Sequence, residues 1–137
     1  LNIYYQTLFS KKTTKNMFAT IGSVSEIAEQ QFSMFSVIGG ASVAFAYLYI
    51  DALSRAALKA GMPKKQALEI TAQTVLGSAK MILESGEHPW ALIDQVCSAG
   101  GTTIEGICAL EENGFESTLV KAFDAVLEKD KWIARRK

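Results

Sequence analysis

The sequence predicts an all-α fold. Apolar residues recur at steps of three and four along residues 64–85 and 116–134, the period of one helix face. Gly and Pro punctuate the chain around these stretches, at Gly61, Pro63, Gly86, Pro89 and Gly114. Val43 to Ile50 carries no charge on any side, and a helix that is apolar all round is one that must be covered all round.

The elements follow in order. Residues 1–12 open with a β-like patch, Ile3-Tyr4-Tyr5 and Leu8-Phe9, before Lys11-Lys12. Thr13 or Thr14 is placed to cap a short helix ending at Gly22. Ser23 to Ile27 alternates as a short strand would. Gly39-Gly40 is expected to break residues 31–50 into two elements, the second capped by Ser42. From Ser42 the chain reads as helix, with Asp51, Arg55 and Lys59 as its wet stripe. Gly61 ends that helix and Pro63 opens the next at a first-turn position. Leu68, Ala72, Val75, Ala79 and Ile82 form the expected inward stripe of the helix over 64–85, and Gly86 is its expected C-terminal cap. Pro89 starts a short helix through Val96. Thr102 and Glu105 have capping-box spacing for a helix that runs to Glu112, where Asn113-Gly114 stops it. The last helix covers about 116–134 and closes on a basic end, Arg135-Arg136-Lys137.

Composition excludes several classes. A chain of 137 residues is one ordinary domain and buries roughly two thirds of its unfolded surface, so it needs no staple. Fourteen basic and fourteen acidic residues cancel, leaving no electrostatic ground for nucleic acid or anionic lipid as a partner. Two cysteines, Cys97 and Cys108, and one histidine, His88, are too few and too far apart for a metal site. Two free thiols suit a reducing cytosol, so a cytoplasmic location is expected. Residues 31–50 approach the length of a membrane span. Against a span stand Gly39-Gly40 at its middle, the diluting Ser33, Ser36 and Ser42, and the lack of a flanking basic cluster. The chain opens on Leu1 rather than Met, which suggests a piece of a longer protein.

Ser98-Ala99-Gly100-Gly101-Thr102-Thr103 is the stretch richest in chemistry. Two glycines allow a tight turn and close approach to a ligand. A helix beginning at Thr102 directs unpaired N–H groups and its positive dipole end at that loop, which favours a carboxylate or phosphate. Ser98, Thr102 and Thr103 add hydroxyls. Taken alone, the stretch is first of all an ordinary helix start after a Gly-Gly turn. His88 reads as a surface or capping histidine, Cys97 and Cys108 as small core residues, and Trp90 and Trp132 as packing.

A resemblance adds to this reading. Thr71-Ala-Gln-Thr-Val-Leu-Gly-Ser-Ala-Lys-Met81, Glu87-His-Pro89, Asp94 through Ile104, Ala109-Leu-Glu111 and Gly114-Phe115 resemble, in that order, the C-terminal domain of pyrroline-5-carboxylate reductases. Asp51-Ala-Leu53 and Gly61-Met-Pro63 fall in register upstream. The likeness is good over 42–137 and looser over 18–41. It implies that residues 1–28 are a remnant of a Rossmann-type α/β nucleotide-binding domain, 29–41 a junction, and 42–137 the helical dimerisation and substrate-binding domain. The glycine fingerprint G-x-G-x-x-G of a dinucleotide fold is not in this sequence.

The resemblance further implies an oxidoreductase of proline biosynthesis, reducing 1-pyrroline-5-carboxylate to L-proline with NADPH or NADH, and a homodimer of interlocking helices. Gly100, Gly101, Thr102 and Thr103 would hold the substrate carboxylate by their amides. The Thr103 hydroxyl would reach the ring nitrogen, Ser98 would support the loop, Glu29 would stand on the substrate side, and Gln95 would touch the cofactor. The sequence departs from the family pattern at Ala99 and Val43, where the family usually has Pro, at Gly39-Gly-Ala-Ser42 in place of Ser-Gly-Ser-Gly, and at Ser33 in place of an acidic residue. Two rival readings are a non-catalytic dimerisation module and a small membrane-associated protein.

Overall fold

The computed structural model describes residues 10–136. It forms two compact units, Leu1–Phe32 and Ser33–Lys137. The expected β-like patch at Ile3-Tyr4-Tyr5 and Leu8-Phe9 lies outside the described residues. The described residues are helical or irregular, with no strand among them.

In the first unit, α1 spans Lys11–Ala19. Its cap is Ser10, whose Oγ accepts the Thr13 N–H at 3.2 Å. Thr13 and Thr14 lie inside the helix, because capping needs the extended backbone that Ser10 has, at φ −64° and ψ 149°. The alternating Ser23–Ile27 is irregular rather than a strand: alternation makes a strand only beside a ladder partner, and none pairs with it among the described residues. Glu26 instead meets the ammonium groups of Lys11 at 2.7 Å and Lys15 at 3.5 Å. The Lys11 hydrogen bond first, then the two positive charges, hold the Glu26 carboxyl below its ordinary value. A 3-10 turn, Glu29–Gln31, follows.

The short α2 (Phe32–Ser36) passes into a π-helical turn, Val37–Ala41, and then α3 (Ser42–Lys59). Gly39-Gly40 therefore widens the helix by one residue instead of breaking it. Ser42 is no cap; its Oγ donates back to the Ile38 carbonyl within the helix. Gly61, at φ +104°, ends α3, and the Met62 N–H returns to the Ala57 carbonyl at 3.0 Å. Pro63 is the N-cap of α4 (Lys64–Ser85) rather than a first-turn residue. Gly86 closes α4 in the left-handed region at φ +67°, as expected. His88 Nδ1 accepts the Trp90 N–H at 3.2 Å and so caps α5 (Pro89–Val96). After the glycine loop come α6 (Thr102–Glu112) and α7 (Phe115–Ala134).

The principal packing is α3 on α4. Its seam is made of small residues: Ser54, Ala67 and Thr71 are buried and Ala57 is half-buried. Small side chains let two helices approach closely, and the Ser54 hydroxyl is satisfied by the Asp51 carbonyl at 2.8 Å. The inward stripe of α4 is thus Ala67, Thr71 and Val75: Val75 as expected, Ala67 and Thr71 one position before the expected Leu68 and Ala72, while Leu68 and Ile82 are exposed. Asp51 ties the two helices at one end through Arg55 on its own helix and Lys64 at 3.8 Å on α4. The Arg55 hydrogen bond, ahead of the Arg55 and Lys64 charges, holds its carboxyl below the ordinary value against a smaller opposing effect of burial. The π-turn seats Val37, fully buried, near α7, and Tyr49 of α3 meets Phe115 of α7 with ring centroids 6.3 Å apart.

Large apolar residues are left outside this packing. Leu48 is 70% exposed and Leu83 84%, and Tyr47, Ile38, Leu76, Val96 and Val120 are also exposed. A fully buried Leu contributes about 1.5–3 kcal/mol. These side chains make little of that contribution within one chain. The stretch Glu29–Lys59 is also long and apolar enough to cross a membrane, with a mean hydropathy of 1.6 in its most apolar window.

Candidate functional site

Four residues before α6 make a tight turn. The Gly101 N–H donates to the Ser98 carbonyl at 2.9 Å, closing Ser98-Ala99-Gly100-Gly101 as a β-turn. Gly100 at the third position has φ +66°, and no non-glycine residue among those described has positive φ. That combination is a type II turn, whose third position calls for glycine.

The two glycines are needed for different reasons. Gly100 needs its backbone freedom, and an added Cβ there would meet open space. Gly101 has φ −80° and ψ 169°, an extended backbone that any residue adopts. What it needs is room: an added Cβ would overlap Ser98 Oγ and stand 3.0 Å from the Ser98 carbonyl oxygen. Ser98 therefore supports the loop by filling the space that Gly101 leaves.

Gly101 is also the N-cap of α6, and having no side chain it caps nothing. The expected capping box between Thr102 and Glu105 does not form, because the helix already includes Thr102 as its first residue. Helix geometry leaves the N–H groups of Thr102, Thr103 and Ile104 without intrahelical acceptors. The Gly101 N–H is engaged inside the turn. The donors that can meet an anion are thus Thr102, Thr103 and Ile104 at the helix start, and the Gly100 N–H of the turn, which makes no backbone hydrogen bond among the described residues. Ile104 escapes a reading by residue type, because its backbone and not its side chain is the useful group.

Gln95, in the last turn of α5, is exposed, and its Nε2 donates to Glu87 Oε2 at 2.7 Å. It also lines a groove of about 590 Å³ between α4 and α5, with Thr74, Ser78, Met81, Ile82 and Leu92 among its other walls. The structure thus brings Gln95, Ser98, Gly100, Gly101, Thr102 and Thr103 into one short stretch around a helix start. Glu29 belongs to the first unit, where it is exposed at the start of the 3-10 turn. Cys97 is half-buried and Cys108 exposed, both as free thiols. His88 is occupied as a cap, and Trp132 lies beneath the cations of Lys129 and Arg136 at 3.7 and 3.8 Å.

This arrangement can hold a small carboxylate. A cluster of N–H donors at a helix start supplies directed hydrogen bonds and the positive end of the dipole. The neighbouring threonine hydroxyls can donate or accept.

Comparison with known proteins places the arrangement in a family. The family described as pyrroline-5-carboxylate reductase dimerisation matches residues 29–133. The pyrroline-5-carboxylate reductase of Escherichia coli K12 is 43% identical over 120 residues, covering 88% of this chain and 45% of that protein. The solved 1-pyrroline-5-carboxylate reductase of Streptococcus pyogenes is 40% identical with a TM-score of 0.81, covering 89% of this chain and 48% of that one. That of Plasmodium falciparum, described with NADP bound, is 32% identical with a TM-score of 0.82, covering 93% and 49%. The chain spans slightly less than half the length of these relatives. The match takes in all of Glu29–Lys59, so this apolar stretch is part of a dimerisation domain. Over residues 29–133 the chain belongs to the pyrroline-5-carboxylate reductase dimerisation family.

Proposed function

We propose that the protein carrying this chain is a cytoplasmic, NAD(P)H-dependent reductase of 1-pyrroline-5-carboxylate, yielding L-proline, and that this chain supplies the dimerisation and substrate-carboxylate half of the site. The observation that carries the reading is the type II turn at Ser98–Gly101, which delivers α6 with three consecutive N–H groups at its start. The substrate carboxylate lies against the N–H groups of Gly100, Thr102, Thr103 and Ile104. Thr103 is the catalytic residue by its hydroxyl, which donates to the ring nitrogen as the C=N bond is reduced. Glu29 serves as a second substrate-side group.

A nicotinamide bound here would supply a hydride to the imine carbon. The donor set here fits one edge of such a cofactor, through the side-chain amide of Gln95, and the sequence holds no phosphate-cradling glycine fingerprint. What these residues contribute is placement, which lowers the barrier by holding the imine in reach and in one orientation.

A second copy of the chain covers the large apolar faces of α3 and α4. Their exposure in the single chain and the family's dimerisation role both support a homodimer.

Steady-state kinetics on the full-length protein test the reading. It turns over 1-pyrroline-5-carboxylate with NADPH or NADH, and Thr103→Ala lowers kcat/KM by a factor equivalent to about 0.5–3 kcal/mol of transition-state stabilisation, the worth of one hydrogen bond. Circular dichroism checks that the fold survives. Lack of turnover in a folded, dimeric full-length protein would leave a non-catalytic dimerisation module as the correct reading.

A further inference from the structure

Gln95 is a neutral amide whose two ends do opposite things: Oε1 accepts and Nε2 donates. A side-chain amide at a binding edge is therefore ambiguous unless something fixes its orientation. Here something does. Glu87, in the short connection between α4 and α5, takes the Nε2 of Gln95 at 2.7 Å. An ionised carboxylate only accepts, so the nitrogen must be the end that faces it. Oε1 is left as the acceptor, beside the Glu87 carboxylate.

We propose that Glu87 is a positioning residue that presents Gln95 Oε1 to a hydroxyl or N–H donor of the nicotinamide nucleotide. That means a ribose hydroxyl or the carboxamide N–H, and not a phosphate. The proposal rests on the reading of Gln95 as a cofactor contact. Two features of the site agree with a donor on the ligand. An acceptor oxygen next to a carboxylate repels an anionic oxygen, and the groove that Gln95 lines is otherwise mostly apolar, through Met81, Ile82 and Leu92.

The variant that isolates orientation is Glu87→Gln. It has the same length, but its amide accepts or donates, so it holds Gln95 in either sense. In the chain alone, Gln95 side-chain amide resonances are compared between wild type and Glu87→Gln. One downfield Nε2 proton with slowed solvent exchange is expected in the wild type and is lost in the variant. In the full-length protein, Glu87→Gln raises the KM for NADPH about 3- to 10-fold, the scale of one hydrogen bond, with kcat unchanged, and Glu87→Asp recovers part of the loss. Unchanged Gln95 amide signals in Glu87→Gln would overturn the positioning role. A fall in KM would also overturn it, since Glu87 would then act only as a repelling charge. Gln95→Ala separates the two layers. If it raises KM while Glu87→Gln does not, the positioning role fails alone. If neither variant moves KM, Gln95 is no cofactor contact and both readings fall.

Discussion

The outer faces of α3 and α4 and the turn at Ser98–Gly101 are opposite kinds of structure. The helices bury small residues against each other, with Ser54, Ala67 and Thr71 at the seam, and leave Leu48, Leu76 and Leu83 outside. The turn is complete in itself: its closing hydrogen bond, its left-handed glycine and the space filled by Ser98 all come from four consecutive residues. One region draws its meaning from what lies beyond the chain, and the other needs nothing beyond it. The site and the assembly surface should therefore break separately.

The largest effect is expected on the open faces. Leu48→Asp places a charge where an apolar partner surface must close. The lost burial of a Leu is worth about 1.5–3 kcal/mol, and an unpaired charge in the interface adds to that, so association weakens by at least about 100-fold. Sedimentation velocity at micromolar concentration should show a dimer for the wild type and a monomer for the variant, with helicity in the monomer largely kept. A wild-type monomer, or a variant that still sediments as a dimer, would show that this face is not the one covered.

A smaller effect, confined to the loop, is expected from Gly101→Ala. The obstacle is Ser98, not the backbone angle, so the variant strains the turn by about 1–3 kcal/mol, as overpacking does. Ser98→Gly in the same chain removes the Oγ and Cβ from the collision and leaves only the carbonyl at 3.0 Å, so the double variant should regain part of the lost stability. Chemical denaturation of the four-member cycle measures this. Additive losses would mean that the two residues do not meet. The dimer should survive in every member, which is what distinguishes this region from the helix faces.

The same contrast explains how much was legible in the sequence. Helices bounded by Gly and Pro were readable almost to the residue, as at 64–85 and 89–96, because those residues act locally. The need for an outside cover was readable from Val43–Ile50, because a run without charge has no wet side. Caps were less readable. Ser10 rather than Thr13 or Thr14, and Gly101 rather than Thr102, hold the cap positions, since that choice depends on one backbone angle. Gly39-Gly40 did not break its helix, because a π-turn absorbs the extra residue. Part of the inward stripe of α4 fell one position away, because close helix packing placed Ala67 rather than the larger Leu68 at the seam and Thr71 one turn on, while Val75 is common to both. In the loop the residue types were all in view. The commitment of the Gly101 amide, the availability of Ile104 and the Glu87–Gln95 bond were not, since each is a matter of geometry between residues.

The smallest effect sharpens the comparison most. Ala99 is the second residue of the type II turn, the position where proline's fixed φ is already the required one. The sequence has Ala where the family usually has Pro, so the turn carries conformational freedom that folding must remove. Proline has no N–H to donate, and the closing bond uses the Gly101 N–H and the Ser98 carbonyl, so Ala99→Pro leaves that bond intact. The substitution also favours an extended backbone at Ser98, the residue before it. By restricting the unfolded chain it should stabilise the protein by about 0.4–1 kcal/mol, or roughly 1–4 °C in Tm. Because the gain is local, the difference in Tm between variant and wild type should stay constant as protein concentration is varied, while both Tm values rise together with dimer formation. A difference that grows or shrinks with concentration would mean that the turn is coupled to the assembly surface, and the separation of the two regions would fail at that point.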